Sequence, residues 1–170
     1  MNRLTKDFFK QNALNLAPSL IGKLLCRRIN NEIIKLRITE TESYYGMEDT
    51  ACHAHKGKTP RTEPMFSEGG ITYIYLCYGM YNMLNIVSGK EDNPEAVLIR
   101  GVEGFNGPGK LTKALSISRD LNKIDLSLND ELWIEDDGIN LDFKRTPRIG
   151  ISYATQEYIN KEWRFIAINL

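Results

Sequence analysis

The chain has 170 residues, 42% hydrophobic, 26% charged and 9% aromatic, an ordinary globular composition with length enough for one domain and a real core. Its 22 basic and 22 acidic residues cancel, so no overall basic field points to a polyanion, and no apolar run approaches the roughly 18 residues of a membrane helix. The start, MNRLTKDFFKQNALN, lacks the apolar stretch of a secretion signal, and Cys26, Cys52 and Cys77 form no C-x-x-C pair; a cytoplasmic protein without a disulfide framework is expected.

The charge is unevenly spread. Residues 120–142 hold eight acids and one lysine, a net of −7, which leaves 21 basic and 14 acidic residues elsewhere, a net of +7. A neutral total can therefore hide a basic face with one acidic flank, or be a solvated acidic loop on a mixed surface.

In chain order, Thr5 or Asp7 is placed to cap a short helix near FFKQNA. Residues 17–25 read as a second helix, with Leu20, Ile21, Leu24 and Leu25 on one face. Asn30-Asn31 reads as a turn and Glu32 to about Tyr45 as a long strand. Residues 46–70 lack a period and read as a long loop, which in a small domain is usually functional or disordered. Residues 71–78 and 82–88 read as strands flanking Gly79-Met80, and 96–102 as another. A helix is expected over 110–121, and short strands at Leu132–Ile134, Arg148–Tyr153 and Trp163–Ile168. Strands dominate without βαβ alternation. The expected fold is α+β, a single domain over residues 1–170 with a mainly antiparallel curved sheet, a protruding β-hairpin and a few flanking helices.

Chemistry is written on the strands. Alternation puts Ile34, Leu36 and Ile38 on one face of the long strand, and Glu40, Glu42 and Tyr44 continue it. Carboxylates at the end of an apolar stripe are either a structural ion pair or a working acid/base. Asn85 interrupts MLNIV, and Arg100 shares a face with Ala96, Leu98 and Val102. Together Glu42, Asn85 and Arg100 are three polar intrusions on apolar strands, the pattern of a lined pocket.

Six of the eight tyrosines fall between positions 44 and 81. At the Tyr78-Gly79-Met80-Tyr81 tip, glycine supplies a positive φ and an aromatic ring projects outward, available as a wedge between stacked bases. Beside it stands the basic loop His53-Ala-His55-Lys56-Gly-Lys58-Thr-Pro-Arg61. Basic side chains next to exposed aromatics suit nucleic-acid contact, although such runs are also ordinary solvated loops. Cys52-His53-x-His55 has soft ligands but no second cluster, so no metal is expected. There is no G-x-S-x-G and no P-loop; Gly107-Pro-Gly109-Lys110 opens a helix whose free N–H groups suit a phosphate.

These residues resemble the 3-methyladenine (alkyladenine) DNA glycosylase family of base excision repair. The matching motifs are Thr39-Glu-Thr-Glu-Ser-Tyr44 with Glu48-Asp49-x-x-x-His53, Thr59-Pro-Arg61 with Met65-Phe66, and Tyr73-Ile-Tyr75-x-x-Tyr78-Gly-Met-Tyr81-x-x-x-Asn85. Val97-Leu-Ile-Arg100, Gly107-Pro-Gly-Lys-Leu111 and Thr146-Pro-Arg148-Ile-Gly150 complete the set, from about residue 18 to the end. The resemblance implies that Glu42 activates the attacking water and that Arg100 helps hold both. It implies that Tyr44, His53 and Tyr75 wall the pocket of a flipped base, that Asn85 crowds the amine of normal guanine, and that Tyr78 fills the gap left in the duplex. Lys56, Lys58, Arg61 and Lys110 are expected at the DNA backbone. No cofactor is implied, and the product would be an abasic site in double-stranded DNA that had carried an alkylated or deaminated purine.

A monomer is expected, because an enzyme that scans DNA needs no partner subunit, with its place at the nucleoid when bound. Two other readings stay open: a nucleic-acid binding module without catalysis, and a carbohydrate glycosidase using Glu40 and Glu42. Alternation alone does not choose between the two carboxylates. No role falls to Tyr45 or His55, and the acidic 120–142 segment is expected to face away from phosphates.

Overall fold

The computed structural model describes residues 2–170. In chain order they form β1 (Asn2–Arg3), α1 (Lys6–Phe9), α2 (Ala13–Leu20), β2 (Leu24–Ile29), β3 (Glu32–Tyr45), β4 (Thr72–Cys77) and β5 (Tyr81–Val87). There follow β6 (Glu95–Val102), β7 (Phe105–Asn106), α3 (Pro108–Ala114), β8 (Leu132–Asp136), β9 (Phe143–Thr146), α4 (Gln156–Ile159) and β10 (Arg164–Ala167). The strands join in the order β1-β8-β2-β3-β6-β5-β4, with β10 bridging β3 and β9 and β7 on β6. Every strand pair is antiparallel. This is the α+β class that the strand-rich pattern predicts.

Helix boundaries depart from the apolar spacing. The second helix covers residues 13–20 rather than 17–25. Asn12 caps it by accepting from the Asn15 N–H, and the chain leaves helical geometry at Ile21 before Gly22, whose φ is +89°. Leu24 and Leu25 therefore belong to β2. They looked helical because this strand is buried on both faces, Leu25 in the main core and Leu24 with Cys26 and Trp133. The helix expected over 110–121 ends at Ala114, and Ser116 takes a φ of +49°. Arg148–Tyr153 is a turn rather than a strand, and the strand lies earlier, at β9. Its backbone is diverted from ladder pairing: the Ile149 N–H goes to a side chain, and Gly150 has a φ of +75°.

The main core lies between α2, α3 and one face of the sheet, with Phe9, Leu16, Leu20, Ile38, Ile99, Leu111 and Phe165 all fully buried. β3 changes faces as it passes this core. Its register against β6 shifts between Ile38 and Thr41, a β-bulge. Ile38 packs in the core, but beyond the bulge Thr41 and Ser43 take over that face. Their hydroxyls donate to the Ala17 and Ala13 carbonyls of α2. Glu40, Glu42 and Tyr44 thus do not extend the apolar stripe; they occupy the opposite face. A compensating shift at Arg100 sends Val102 into the core, away from Ala96 and Leu98.

The fold also resolves the charge balance. Six of the acids in residues 120–142 pair with basic residues from the first 37: Asp125 with Lys6, Asp130 with Arg3, Glu131 with Arg27, Glu135 with Lys35, Asp136 with Lys23 and Asp137 with Arg37. β8 lies five strands from β4 in the sheet, roughly 24 Å at ordinary strand spacing and well beyond the screening length of physiological salt. We therefore expect Asp130→Asn with Glu131→Gln to leave DNA affinity and its salt dependence unchanged in a titration from low to high salt. A large gain in affinity would place this strand on the DNA side.

Candidate active site

The face that the bulge gives to Glu42 is carried across the sheet by register. Arg164, Glu42, Leu98, Asn85 and Tyr73 are successive cross-strand partners on β10, β3, β6, β5 and β4. The next row places Tyr44 opposite Ala96, and Ala96 opposite Val87. Five strands thus bring the polar Arg164, Glu42, Asn85 and Tyr73 into one row, with Leu98 between Glu42 and Asn85. The long 46–70 loop folds over them, adding His53 from one 3-10 turn (His53–Lys56) and Met65 from another (Glu63–Phe66).

The result is an aromatic slot lined by Tyr44, His53, Met65, Tyr73, Tyr75, Asn85, Ala96 and Tyr153. The His53 and Tyr75 rings are 4.5 Å apart between centroids, Tyr73 and Tyr75 5.5 Å. His53 Nδ1 lies 2.8 Å from the Tyr73 hydroxyl, which fixes the ring. Burial, then the nearby Arg61 charge, lowers His53 to about 4, so the imidazole is neutral at pH 7. A neutral ring adds no repulsion to a cation entering the slot. The Asn85 amide donates to the Tyr73 and Met83 carbonyls, which holds it upright on the pocket floor. The free volume is about 30 Å³, room for a water or two and not for a purine. A groove of about 340 Å³ adjoins it, sharing His53 and Tyr153 and edged by His55, Lys56 and Arg61. Tyr153, whose hydroxyl donates to the Ala51 carbonyl, forms the partition.

Behind Tyr44 sits the carboxylate. Glu42 has no solvent exposure. Its Oε1 accepts from the Tyr44 hydroxyl at 3.0 Å and lies 3.6 Å from Arg100 Nη1. Its Oε2 accepts from the Ile149 N–H at 2.7 Å. Burial pushes the Glu42 carboxyl above the usual carboxylate range, and Arg100, the Ile149 N–H, the Tyr44 hydroxyl and Arg148 pull it back. Tyr44 is raised well above the ordinary phenol by its own burial and by the charge on Glu42, so it remains a donor. Glu40 is differently placed. Its Oε1 is taken by Arg100 Nε at 3.1 Å and by Arg164 Nε at 2.5 Å. Glu40 is an ion-paired support for Arg100, and Glu42 is the carboxylate that stands directly behind the Tyr44 wall of the slot.

Of the residues singled out in the sequence, Tyr44, His53, Tyr75 and Asn85 line this slot, and Glu42 with Arg100 stands behind its Tyr44 wall. Tyr78 stands apart at the tip of the β4–β5 hairpin, 88% exposed, with φ +53°. Lys56, Lys58, Arg61 and Lys110 form no ion pair among the described residues. Arg61 does not only face outward; its guanidinium lies 5.3 Å from the centre of the Tyr75 ring. Lys58 similarly covers Phe66. Tyr45 packs edge-on against Trp163, and His55 Nδ1 sits 2.6 Å from the Met47 carbonyl, so both have structural partners. Cys52 is buried and its thiol is raised to about 12, mainly by that burial.

Sequence reading missed Tyr73, Met65 and Tyr153 as walls, and Arg148 and Ile149 as neighbours of the acid. Tyr73, Met65 and Arg148 stand in quoted motifs without a role. The Ile149 contribution is a backbone N–H, which no residue type announces.

The chain matches the family described as methylpurine-DNA glycosylase (MPG) over residues 7–106 and 103–169. Relatives named "Putative 3-methyladenine DNA glycosylase" include those of Borreliella afzelii, 48% identical over 95% of this chain and 94% of its own, and of Psychrobacter cryohalolentis, 42% identical over 92% and 87%. A third, from Methanocella arvoryzae, is 41% identical over 95% and 90%. With the family matched along nearly the whole chain and its relatives this similar, the protein belongs to the methylpurine-DNA glycosylase family.

Proposed function

We propose that the chain is a monofunctional DNA glycosylase that flips an alkylated or deaminated purine from the duplex and hydrolyses its N-glycosidic bond with a water activated by Glu42. The observation that carries this is a fully buried carboxylate held between Arg100 and the Ile149 N–H at the back of an aromatic slot. A base inside a duplex cannot be reached, so it must leave the stack and be gripped by rings. Tyr44, His53 and Tyr75 supply rings whose electron-rich faces favour a cationic alkylpurine over a neutral base.

In the step itself, a water oxygen bonds to the sugar C1′ as the C1′–N bond breaks. The electron pair of that bond leaves with the purine, and Glu42 takes the water proton. A cationic purine departs neutral and needs no acid. For a neutral lesion such as hypoxanthine the leaving base needs a proton, and the slot offers no ready acid: His53 is held neutral and the tyrosines are raised above their usual value. Cationic lesions should therefore be released faster. Arg100 favours the ionised form of Glu42 and steadies it, and Glu40 with Arg164 keeps Arg100 in place. Tyr78 fills the gap in the stack, and Lys56, Lys58, Arg61 and Lys110 meet phosphates.

The carbohydrate alternative loses its second acid, since both arginines claim Glu40. The test is base release from duplexes carrying one alkylated adenine or hypoxanthine. The expected product is an alkali-labile abasic site, formed faster with the alkylated adenine. Tight binding without base release would instead support a non-catalytic binding module.

A further inference from the structure

One charged pair in the molecule is more deeply buried than any functional reading explains. The side chains of Arg148 and Asp49 are both without solvent exposure and meet in a two-pronged contact, Nη1 to Oδ2 at 2.6 Å and Nη2 to Oδ1 at 3.0 Å. Such a pair is a poor source of stability, because desolvating two charges offsets most of their attraction. Its value must lie in where it holds things.

Asp49 also accepts from the Tyr45 and Ala51 N–H groups, which orders the start of the loop that carries His53. Arg148 donates further to the Ser43 carbonyl of β3 and the Tyr158 carbonyl of α4. Its guanidinium lies 4.9 Å from the Tyr44 ring centre and 5.0 Å from that of Trp163. The next residue along the chain is Ile149, whose N–H meets Glu42 Oε2 at 2.7 Å. Fixing residue 148 from so many directions leaves the N–H of residue 149 little freedom.

We infer that Arg148, clamped by Asp49, is a positioning residue for the reaction: it aims the Ile149 N–H at Glu42 and sets a second positive charge behind Tyr44, so that Glu42 acts as an oriented carboxylate. The inference rests on the reading of Glu42 as the base. Arg148 does not line the slot; it backs the Tyr44 wall and acts on the reaction through Glu42.

Charged and titratable groups face Glu42 from every surrounding element. Arg100 faces it from β6, Glu40 and Tyr44 from its own strand, and Arg164 from β10. Tyr75 on β4 and Tyr153 on the 147–154 turn also feel its charge. Arg148 is not among the residues that line the slot, and its removal leaves the Arg100–Glu42 contact in place.

The experiment measures kcat and KM for base release against pH, in the full-length protein, for Arg148→Met, Arg148→Lys and Glu42→Gln. With Met, kcat should fall by about tenfold or more while KM and duplex affinity stay within about twofold, as for an interaction made toward the transition state. The acidic limb of the kcat profile should also move to higher pH, because a charge that favours the carboxylate is gone. Lys keeps the charge and loses the fork, so kcat should fall several-fold with the limb unmoved. That divergence is what a merely structural role would not produce. Unchanged kcat and limb in the Lys variant together with an unmoved limb in the Met variant would overturn the inference, as would losses that follow only the unfolded fraction. Should Met prevent folding, Asp49→Asn takes its place: the fork is weakened while the Arg148 charge remains, and an unchanged kcat would count against the proposal. If Glu42→Gln releases bases at the normal rate, the reading of the base itself fails; if it is inactive and the Arg148 variants behave as wild type, only this inference fails.

Discussion

Glu42→Gln is expected to bind damaged duplex as tightly as wild type, to release bases about 10²–10⁴-fold more slowly, and to melt at a higher temperature. The loss follows from geometry: Gln keeps the shape, and its carbonyl can still accept the Ile149 N–H, but it cannot take a proton from water. The gain in stability follows from burial. The folded-state pKa of Glu42 is raised, mainly by desolvation. The folded protein therefore holds that proton more tightly than the unfolded chain does. Stability from this group is present below its unfolded pKa and is lost as pH rises through its folded value. Above that folded value the ionised carboxylate destabilises the fold, and a neutral isostere relieves that. Each kcal/mol recovered is worth about 2–4 °C in a chain of this size. Single-turnover release and a thermal melt check both halves. Normal release, or a melting temperature below wild type, would remove Glu42 from the role of buried base. The same shift puts the acidic limb of the wild-type rate profile above the ordinary carboxylate pKa, with activity lost as pH falls through it.

Tyr78→Asn should likewise trade activity for stability, for a different reason. Tyr78 and Gly79, with φ of +53° and +64°, are the central residues of a β-turn closed by the Met80 N–H on the Cys77 carbonyl at 3.1 Å, within the three-residue connection between Cys77 and Tyr81. Two positive φ values in a hairpin loop define a turn in which Asn-Gly is the favoured pair. A tyrosine there is strained, and 88% of it faces solvent. Nothing in the fold rewards the ring, so the reward is sought outside the fold. Asn should stabilise the hairpin by about 1 kcal/mol, read as a rise in melting temperature. Base release from duplex DNA should fall by roughly 5–150-fold, the worth of one aromatic stacked on a base. Release from single-stranded DNA should hardly change, because no gap has to be filled. Equal losses on both substrates would mean that Tyr78 supports the slot rather than wedging the duplex.

The two residues differ in how well the sequence announced them. Tyr78 was legible because hairpin chemistry is local: glycine at the turn and alternating strands on either side define the tip. Glu42 was visible as a misplaced acid, yet the alternation assigned it to the wrong face, as an extension of the Ile34-Leu36-Ile38 stripe. The bulge that reverses the strand is a matter of pairing with β6, and no pattern within β3 reveals it. Alternation could not choose between Glu40 and Glu42; only the family resemblance singled out Glu42. The choice depends on Arg164, 124 residues from Glu40 in sequence. Arg148 escaped notice for the same reason, since its partners Ser43 and Asp49 lie about 100 residues earlier in the chain. The helix over 17–25 was misplaced because a strand buried on both sides has no period to distinguish it from a helix.

By itself, the sequence determined the strand-rich class, the aromatic hairpin tip and most of the chemical types that line the slot, because each depends on neighbours within a few residues. Only the tertiary structure decided which acid both arginines claim and which stands behind Tyr44, which face they occupy, and that the acidic segment pairs with basic residues from the first 37. Those are long-range pairings of charge and backbone, and the chain carries them only once it is folded.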